Sequence, residues 1–231
     1  MWLTPARRRG VETLDDPHIS ADVRRSAMND VVRANALFGG TRSVLQAFRE
    51  ILPMLPASAA LLDVGTGLGD IPLAAARAAG ARGVTLDPIG VDVAETLLRR
   101  ARAGLTGAIA GDARRLPVAQ GGVDVVTCSQ LLHHFVEADA LVVLRELHRV
   151  SRGWVLVSDL RRSWLAAAGF WLASIALRFH PVARRDGVTS VLRGFTADEL
   201  EALVLAATGV RPRVRRGIFW RVSATWRARA D

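Results

Sequence analysis

The chain has 231 residues, 50% of them hydrophobic, and a formal net charge of +9. This length and hydrophobic fraction suffice for a substantial core, which excludes a disordered chain and a small disulfide scaffold. The 31 basic residues are all arginine, a compositional bias that weakens charge as evidence for a nucleic-acid partner, and we expect none. A single cysteine, Cys128, cannot form an internal disulfide and is typical of a cytoplasmic protein.

The N-terminal part predicts two helices that precede the first strand. Helical spacing of apolar residues indicates the first helix over about 21–37. The sequence Phe38-Gly39-Gly40 breaks it, and Thr41 or Ser43 is expected to cap a second helix that runs to about residue 52. Both helices are therefore additions to the unit that follows.

From residue 60 onward, strand and helix patterns alternate. This alternation predicts a parallel sheet covered on both faces by helices. The predicted strands are 60–64, a strand ending near 92, 107–111, 122–129 and 154–158, and the predicted helices are 70–79, 93–102 and 138–150.

The alternation is interrupted after residue 158. Residues 164–177 are apolar but fall short of the roughly 18–20 residues that a membrane-spanning helix needs, and the stretch 180–190 is polar and indicates a loop. We interpret about 160–195 as a helical lid insertion.

The C-terminal part predicts one more helix and a hairpin. The sequence Thr196-Ala-Asp-Glu199 is typical of a capping box that opens a helix to about residue 208. Apolar and polar residues alternate over 210–228, which predicts two antiparallel strands. One face of this hairpin is expected to carry Ile218, Trp220, Val222, Ala224 and Trp226.

One stretch, Leu61-Leu-Asp-Val-Gly-Thr-Gly-Leu-Gly-Asp70, joins a buried strand to a helix through a glycine turn. Glycines at 65, 67 and 69 allow positive φ angles and the close approach of a ligand. Asp70 is expected to cap the helix. The spacing G-x-G-x-G, with Asp63 two residues before it, differs from the G-x-G-x-x-G of dinucleotide enzymes and disfavours a dinucleotide oxidoreductase.

This stretch resembles motif I of the class I S-adenosylmethionine (SAM) methyltransferases. Three more segments are similar to the family in the same order: Asp92, Gly111-Asp112 and residues 123–134. The resemblance, which covers 61 to about 158, implies an α/β, Rossmann-like class I methyltransferase fold. Its mostly parallel seven-stranded sheet would have helices on both faces, a C-terminal antiparallel hairpin, N-terminal helices and a helical lid insertion. SAM would be the cofactor and S-adenosylhomocysteine (SAH) the product.

The resemblance also implies a division of the chain and a set of cofactor contacts. Residues 1–57 would form an N-terminal helical cap and 58–231 the SAM-binding methyltransferase domain. Asp92 is preferred over Asp87 for the ribose, because Asp87 precedes Pro88 and suits a strand entrance. Asp112 would bind the adenine amino group, and Asp63 would lie near the methionine amino group. The expected cofactor-binding residues are Asp63, Gly65, Thr66, Gly67, Gly69, Asp92, Val93, Asp112, Ala113 and Ser129.

Methyl transfer from a sulfonium requires the protein mainly to position the acceptor and to exclude water. His133 and His134 follow the fourth strand, whose carboxyl end faces the ligand crevice of such sheets. They are the candidate catalytic bases, although they could instead brace the loop.

No His, Cys or Asp set shows metal-ligand spacing, so we expect no metal. Acceptor contacts are expected from Phe38, Gln130, His134, Arg184, Ser190 and Arg193.

The expected partner is a small hydrophobic acceptor such as a phenol, a quinone precursor or a polyketide. Residues 190–196 are similar to the substrate side of quinone-biosynthesis C-methyltransferases and of polyketide and phenolic-lipid methyltransferases. A non-catalytic SAM-binding protein and a methyltransferase acting on a lipid or a nucleic acid are the alternatives. Arginines flank 161–178 as they flank many interfacial helices, which predicts a cytoplasmic protein in peripheral contact with a membrane. The oligomeric state is left open.

Overall fold

The computed structural model describes residues 4–8, 10–16 and 18–228. Residues 1–3, 9 and 17 of the predicted cap and 229–231 of the predicted domain lie outside the described residues. The elements are α1 (Ala21–Leu37), α2 (Gly40–Ile51), β1 (Ser58–Val64), α3 (Asp70–Gly80), β2 (Thr85–Asp92), α4 (Glu95–Ala101), β3 (Gly107–Ala110), β4 (Val123–Ser129), α5 (Glu137–Val150), β5 (Ser151–Leu160), α6 (Trp164–Ala176), α7 (Pro181–Arg193), α8 (Ala197–Thr208), β6 (Arg213–Gly217) and β7 (Arg221–Arg227).

The strands of the described chain form one sheet with the order β3-β2-β1-β4-β5-β7-β6. Strands β1 to β5 run parallel to one another, whereas β7 is antiparallel to both β5 and β6. This confirms the predicted mostly parallel, seven-stranded fold with a C-terminal hairpin. The strand order reverses between β1 and β4, which is where α/β sheets of this kind open a ligand crevice.

Alternating side chains of the central strands divide the core between the two faces of the sheet. Leu62 and Val64 of β1 pack in the cluster formed with α5 and α8. Leu61 points to the opposite face, where it packs with Val125, α3 and Phe48 of α2. Because α2 packs directly on the sheet, it holds the N-terminal helices against the crevice. The division at residue 57 stays a prediction.

Two helix starts differ from the sequence-based prediction. Helix α2 begins at Gly40 behind Gly39, whose φ is 75°, so Thr41 and Ser43 lie inside the helix and do not cap it. Helix α3 likewise begins with Asp70 behind Gly69, whose φ is 78°. At both points a glycine in the left-handed region turns the chain into the helix, which removes the need for a side-chain cap.

The C-terminal region also differs in part. The capping box of Thr196 and Glu199 is present at the start of α8. Ile218 and Trp220, expected on a strand face, lie in the three-residue turn between β6 and β7, where Trp220 has a φ of 54°. The alternation of apolar and polar residues therefore did not reveal this turn.

The insertion between β5 and α8 consists of two helices, α6 and α7. The polar stretch that indicated a loop is helical, because Pro181 occupies its first turn and the His180 ring accepts the Val182 N–H. Helix α6 turns Phe170 inward, where its ring contacts those of Phe38 and Phe179. In the described part of the chain, no helix combines the length and the apolar character that crossing a bilayer requires.

Candidate active site

A cavity of about 550 Å³ opens at the carboxyl ends of the parallel strands. One end is bounded by the glycine turn after β1 and by the ends of β2 and β3. The other end is closed by α1, α6, α7 and the N-terminal residues 12–15. This volume lies within the range of small-molecule sites. The cavity therefore combines the crevice of an α/β sheet with a wall supplied by the added helices.

The glycine turn after β1 is held by the neighbouring strand. The backbone N–H groups of Gly65 and Thr66 donate to the Val91 carbonyl at 2.8 and 3.1 Å. Gly65 has a φ of 76°, and a Cβ there would lie 2.8 Å from a side-chain carbon of Leu131. Only glycine fits this combination of left-handed backbone and close contact, and Gly67 and Gly69 also have positive φ.

Asp92, the last residue of β2, ties the glycine turn to the start of α4. Its carboxylate accepts the Gly67 N–H at 2.8 Å and the Ala94 N–H at 2.8 Å. The adjacent Val93 is 72% exposed and lines the cavity. Asp87 is exposed in the middle of β2, away from this edge. The structure therefore places Asp92 at the crevice, and its contact with a ribose stays a prediction.

Asp63 is a buried acid beneath the turn. Burial raises its pKa to about 7, and the nearby acids Asp70 and Asp92 add to this effect. A hydrogen bond that the Thr127 hydroxyl donates at 2.6 Å opposes the shift. An acid that titrates near neutrality in a ligand crevice responds strongly to the arrival of a cation.

This end of the cavity is completed by residues that follow β3 and by the last residue of β4. Asp112 follows β3, and its carboxylate is held by the Arg114 side chain at 2.7 Å, which keeps its pKa below the usual range. Ala113 beside it is buried and lines the cavity. Ser129 ends β4, and its buried hydroxyl has no hydrogen-bond partner among the described residues. Nine of the ten expected cofactor-binding residues line this end of the cavity, and the tenth, Gly69, forms the N-cap of α3.

The two histidines lie at the other end, in a short 3₁₀ turn after β4. His133 is 2% exposed, and its Nδ1 lies 2.6 Å from Oδ1 of Asp159 near the end of β5. Although burial opposes it, the imidazole of His133 and two backbone N–H donors keep the pKa of Asp159 below its usual range. The ionised Asp159 therefore orients the ring so that Nδ1–H donates and Nε2 points towards Glu12.

His134 is more accessible and faces the N-terminal segment. Its Nδ1 lies 3.1 Å from Asp15, and its Nε2 lies 3.8 Å from Glu12. Burial lowers the pKa of His134, but Asp15 and Glu12 outweigh that effect, so that the pKa is raised overall. This end of the cavity is thus lined by paired acids and imidazoles.

The N-terminal segment is held at this place by hydrogen bonds from distant elements. Asp186 of α7 accepts the Thr13 and Leu14 N–H groups at 3.0 and 2.8 Å. The Arg193 side chain donates to the carbonyls of His133 and His134 at 3.0 and 2.5 Å. These contacts join α7, the histidine turn and the segment into one wall.

The structure brings only some of the expected acceptor contacts to the cavity. Gln130 lines it, but its amide is already engaged with Asn35 and with Arg221. Ser190 lines it and donates to Glu12 at 2.8 Å. Phe38, Arg184 and Arg193 are not among the lining residues. Phe38 packs on Phe170, Arg184 stacks on Trp171 and Arg193 supports the histidine turn from behind.

Sequence reasoning missed three acids of this end: Glu12, Asp15 and Asp159. Asp159 could have been found, because it follows a predicted strand at the same sheet edge as Ser129. Glu12 and Asp15 carry no such signal, since only the packing of α7 places their segment over the crevice. Met28, Phe170 and Phe179 add an apolar lining.

Comparison with known proteins points to one family. Residues 61–153 match the family model described as a methyltransferase domain. The chain is 33% identical over 110 residues to a ubiquinone biosynthesis O-methyltransferase of Bordetella avium, which covers 45% of this chain and 43% of that protein. It is 29% identical over 163 residues to a ubiquinone/menaquinone biosynthesis C-methyltransferase of Burkholderia multivorans, which covers 67% of this chain and 65% of that protein. The chain thus spans less than two thirds of these curated relatives.

Solved structures show the same fold. A SAM-dependent methyltransferase from Aquifex aeolicus superposes with a TM-score of 0.60 at 18% identity, covering 88% of this chain and 97% of that one. The magnesium protoporphyrin IX methyltransferase of Synechocystis PCC 6803, solved with bound SAH, gives a TM-score of 0.56 at 14% identity, with 94% and 91% covered.

Proposed function

Because the chain carries a class I SAM-dependent methyltransferase domain, we propose that it transfers a methyl group from SAM to a small hydrophobic acceptor. The observation that supports this most is the hydrogen bond from Gly67 N–H to Asp92, which brings the glycine turn and the last residue of β2 to one edge of the crevice. A ribose diol and a methionyl group need these two features side by side.

The residues at this end of the cavity fit the chemical groups of SAM. The buried Asp63 offers a carboxylate to the cationic methionyl end, and the exposed Val93 offers an apolar surface beside Asp92. The unpartnered hydroxyl of Ser129 offers a polar contact. Asp112 becomes available to the adenine amino group once the Arg114 side chain moves aside, which costs little because both are solvent-exposed.

The acceptor end favours an aromatic molecule that carries a hydroxyl. Its walls include the rings of Phe170 and Phe179 and the side chain of Met28, while Glu12 and His134 supply polar contacts. The curated relatives, by their names, act in quinone biosynthesis, which supports a phenolic or quinone-like acceptor.

Within this proposal the protein contributes positioning and the exclusion of water. SAM supplies a methyl group that is already activated by its sulfonium centre. Helices α1, α6 and α7 close the acceptor end, and the histidine turn presents the polar groups that orient an acceptor oxygen or activated carbon. Confinement of the two reactants in one cavity of about 550 Å³ supplies the proximity that an in-line displacement requires.

The test is calorimetric titration of the purified chain with SAM and SAH. We expect micromolar binding that Asp92→Ala abolishes and that the matched control Asp87→Ala retains, because Asp87 is exposed on the same strand. Folding of both variants is checked by circular dichroism. A screen of phenolic and quinone-type acceptors for methyl transfer follows, monitored by SAH formation.

No binding to the folded wild-type chain would contradict the proposal. Binding without transfer to any acceptor would support the alternative of a non-catalytic SAM-binding protein.

A further inference from the structure

Three potential metal ligands meet at the acceptor end of the cavity. They are the carboxylate of Glu12 and the imidazoles of His133 and His134, whose ligand atoms all lie within 4.8 Å of one another. Glu12 and His133 are buried, and His134 is partly exposed. All three line the cavity. No metal was expected from the sequence, because no set of Cys, His or Asp residues shows metal-ligand spacing, and it is the fold that brings Glu12 to the two histidines.

The distances within this group suit an ion between the ligands better than direct hydrogen bonds. His133 Nε2 lies 3.7 Å from Glu12 Oε1, and His134 Nε2 lies 3.8 Å from Glu12 Oε2. Both exceed the roughly 2.7–3.2 Å of a hydrogen bond. Two ligands that each lie about 2.0–2.1 Å from a tetrahedral zinc ion are separated by about 3.4 Å. Side-chain adjustments of a few tenths of an ångström would close the site.

His133 supplies an independent observation that points to a ligand. Its side chain is 2% exposed, and Nε2 has no hydrogen-bond partner in the part of the chain that the structure describes. A buried nitrogen without a partner loses its hydration and gains nothing in return. A bound cation would provide the missing partner at this atom.

The opposite nitrogen of each ring is oriented by a second carboxylate. His133 Nδ1 lies 2.6 Å from Asp159, and His134 Nδ1 lies 3.1 Å from Asp15. A carboxylate on Nδ1 places the proton there and leaves the Nε2 lone pair free for an ion. This carboxylate–histidine arrangement accompanies most histidine metal ligands.

The local charge also accommodates a divalent cation. Three carboxylates, of Glu12, Asp15 and Asp159, surround the histidines. Arg193, whose guanidinium lies 3.4 Å from Glu12, and Arg7, which donates to the carbonyls of Phe135 and His133, bring two positive charges. With neutral imidazoles the group retains one net negative charge, so a divalent ion leaves a net charge of about +1.

We propose that Glu12, His133 and His134 bind a divalent cation of the zinc type. Two histidines and one glutamate with a fourth position open to the cavity form the ligand set of catalytic zinc sites. The fourth position would receive an oxygen of the acceptor, and this last step rests on the proposed methyl transfer. Metal binding itself does not depend on it.

The test uses the full chain, free of any purification tag and stripped with a chelator. Zinc binding is measured by calorimetry, and Co²⁺ is added as a spectroscopic probe whose ligand-field absorption reports four-coordinate nitrogen and oxygen ligation. We expect one equivalent per chain for the wild type and for the control His18→Asn, which removes an exposed imidazole outside the group.

The ligand variants are Glu12→Gln and His134→Gln. We expect each to weaken zinc binding by at least 100-fold and to abolish the Co²⁺ absorption, since loss of one of three ligands leaves an incomplete site. His134 is partly exposed, so its variant should fold even if the substitution at buried Glu12 does not. Circular dichroism and a SAM titration of the same samples verify the fold.

Absence of stoichiometric binding to the folded wild type would overturn the metal proposal, and so would equal binding by the wild type and His134→Gln. The SAM titration separates this failure from failure of the proposed function. A chain that binds SAM but no metal would retain the proposed function and overturn only the metal site.

Discussion

At the scale of single residues, the carboxyl group of Asp63 lowers the stability of the fold when it ionises, and the same group is proposed to bind the cationic end of SAM. It lies at the end of β1 with 2% of its surface exposed, and its pKa is about 7. In the unfolded chain the same acid titrates near 4. The folded state therefore holds a proton that the unfolded state has lost between about pH 4 and pH 7. Stability falls as pH rises through this window, because the unfolded chain releases this proton while the folded chain keeps it.

We predict that Asp63→Asn stabilises the ligand-free fold while it weakens SAM binding. The amide removes the buried charge and can still accept the Thr127 hydroxyl. Its advantage in unfolding free energy should be larger at pH 8 than at pH 5 by about 2 kcal/mol, because wild-type Asp63 is already protonated at the lower pH. Thermal and urea unfolding at the two pH values measure the difference.

The matched control is Asp124→Asn. Hydrogen bonds from Arg152 and the Ala60 backbone lower the pKa of Asp124 despite its partial burial. Loss of these interactions should lower stability at pH 8. Equal effects of the two substitutions on the pH dependence of the unfolding free energy would contradict the prediction, which requires that Asp63 is protonated below about pH 7 in the folded state.

At the scale of elements, helices α6 and α7 shape the acceptor end through one close contact. A Cβ built on Gly187 of α7 would lie 2.2 Å from the ring of Phe170 on α6. Phe170 also lines the cavity. The packing of the two helices therefore depends on the absence of a side chain at residue 187.

We predict that Gly187→Ala displaces Phe170 and alters the acceptor pocket without affecting the cofactor end. Overpacking of this kind typically costs about 1–3 kcal/mol. The KM for the acceptor should rise several-fold, while the calorimetric SAM affinity stays within twofold of wild type. Gly169→Ala is the control, because a Cβ on Gly169 meets nothing within 4 Å. A fall in SAM affinity in Gly187→Ala alone would argue that the two ends of the cavity are not independent.

Helix α6 leaves a face of large apolar side chains exposed, and its contact with a membrane stays a prediction. Leu165 and Leu172 are 54% and 67% exposed. The structure changes the basis of that prediction, because Arg162 is buried in an ion pair with Glu199 and Arg178 is exposed at the end of the helix. A basic residue beside exposed leucine and tryptophan is typical of interfacial helices.

We expect the chain to sediment with vesicles that contain anionic lipid and to do so less when Leu165 and Leu172 are both replaced by Gln. Loss of apolar insertion should reduce the bound fraction several-fold at fixed lipid concentration. Leu205→Gln on α8 is the control, since Leu205 is 40% exposed elsewhere on the surface. Unchanged sedimentation of the double variant would exclude α6 as the contact.

At the scale of the whole molecule, the N-terminal segment is held over the histidine turn by α7. The Asp186 carboxylate accepts two backbone N–H groups of that segment. Hydrogen bonds to a charged group contribute about 1.5–3 kcal/mol each. A single side chain of the insertion thus couples residues that lie more than 170 positions apart.

We predict that Asp186→Asn releases the N-terminal segment. One amide oxygen cannot replace two carboxylate oxygens, so cleavage by trypsin near the N-terminus should become at least tenfold faster, as followed by mass spectrometry. Acceptor turnover should fall because Glu12 and Asp15 lose their positions, whereas SAM affinity should change little. Asp198→Asn, at an exposed acid in the first turn of α8, is the control and should leave the cleavage rate unchanged.

The elements that the sequence predicted well are those specified by local signals. The glycine turn and the capping box at Thr196 each depend on residues within a few positions of one another. Asp92 was predicted from the local change from a strand pattern to a helix pattern. The spacing of apolar residues likewise predicted the order of strands and helices, because each buried element places apolar side chains towards the core at its own period. The predicted helix cap after Gly39 and the predicted strand at Trp220 were wrong, because a residue with positive φ sets the local structure at both places.

The sequence by itself therefore determined the class of fold and predicted the residues that line one end of the cavity. Tertiary structure decided what lines the other end. Glu12 meets His133, and Asp159 meets the same ring, only because the strands end at one edge and α7 holds the N-terminal segment over that edge. Contacts between residues separated by long stretches of chain leave no periodic or local pattern. Their positions follow from packing, which no single segment encodes.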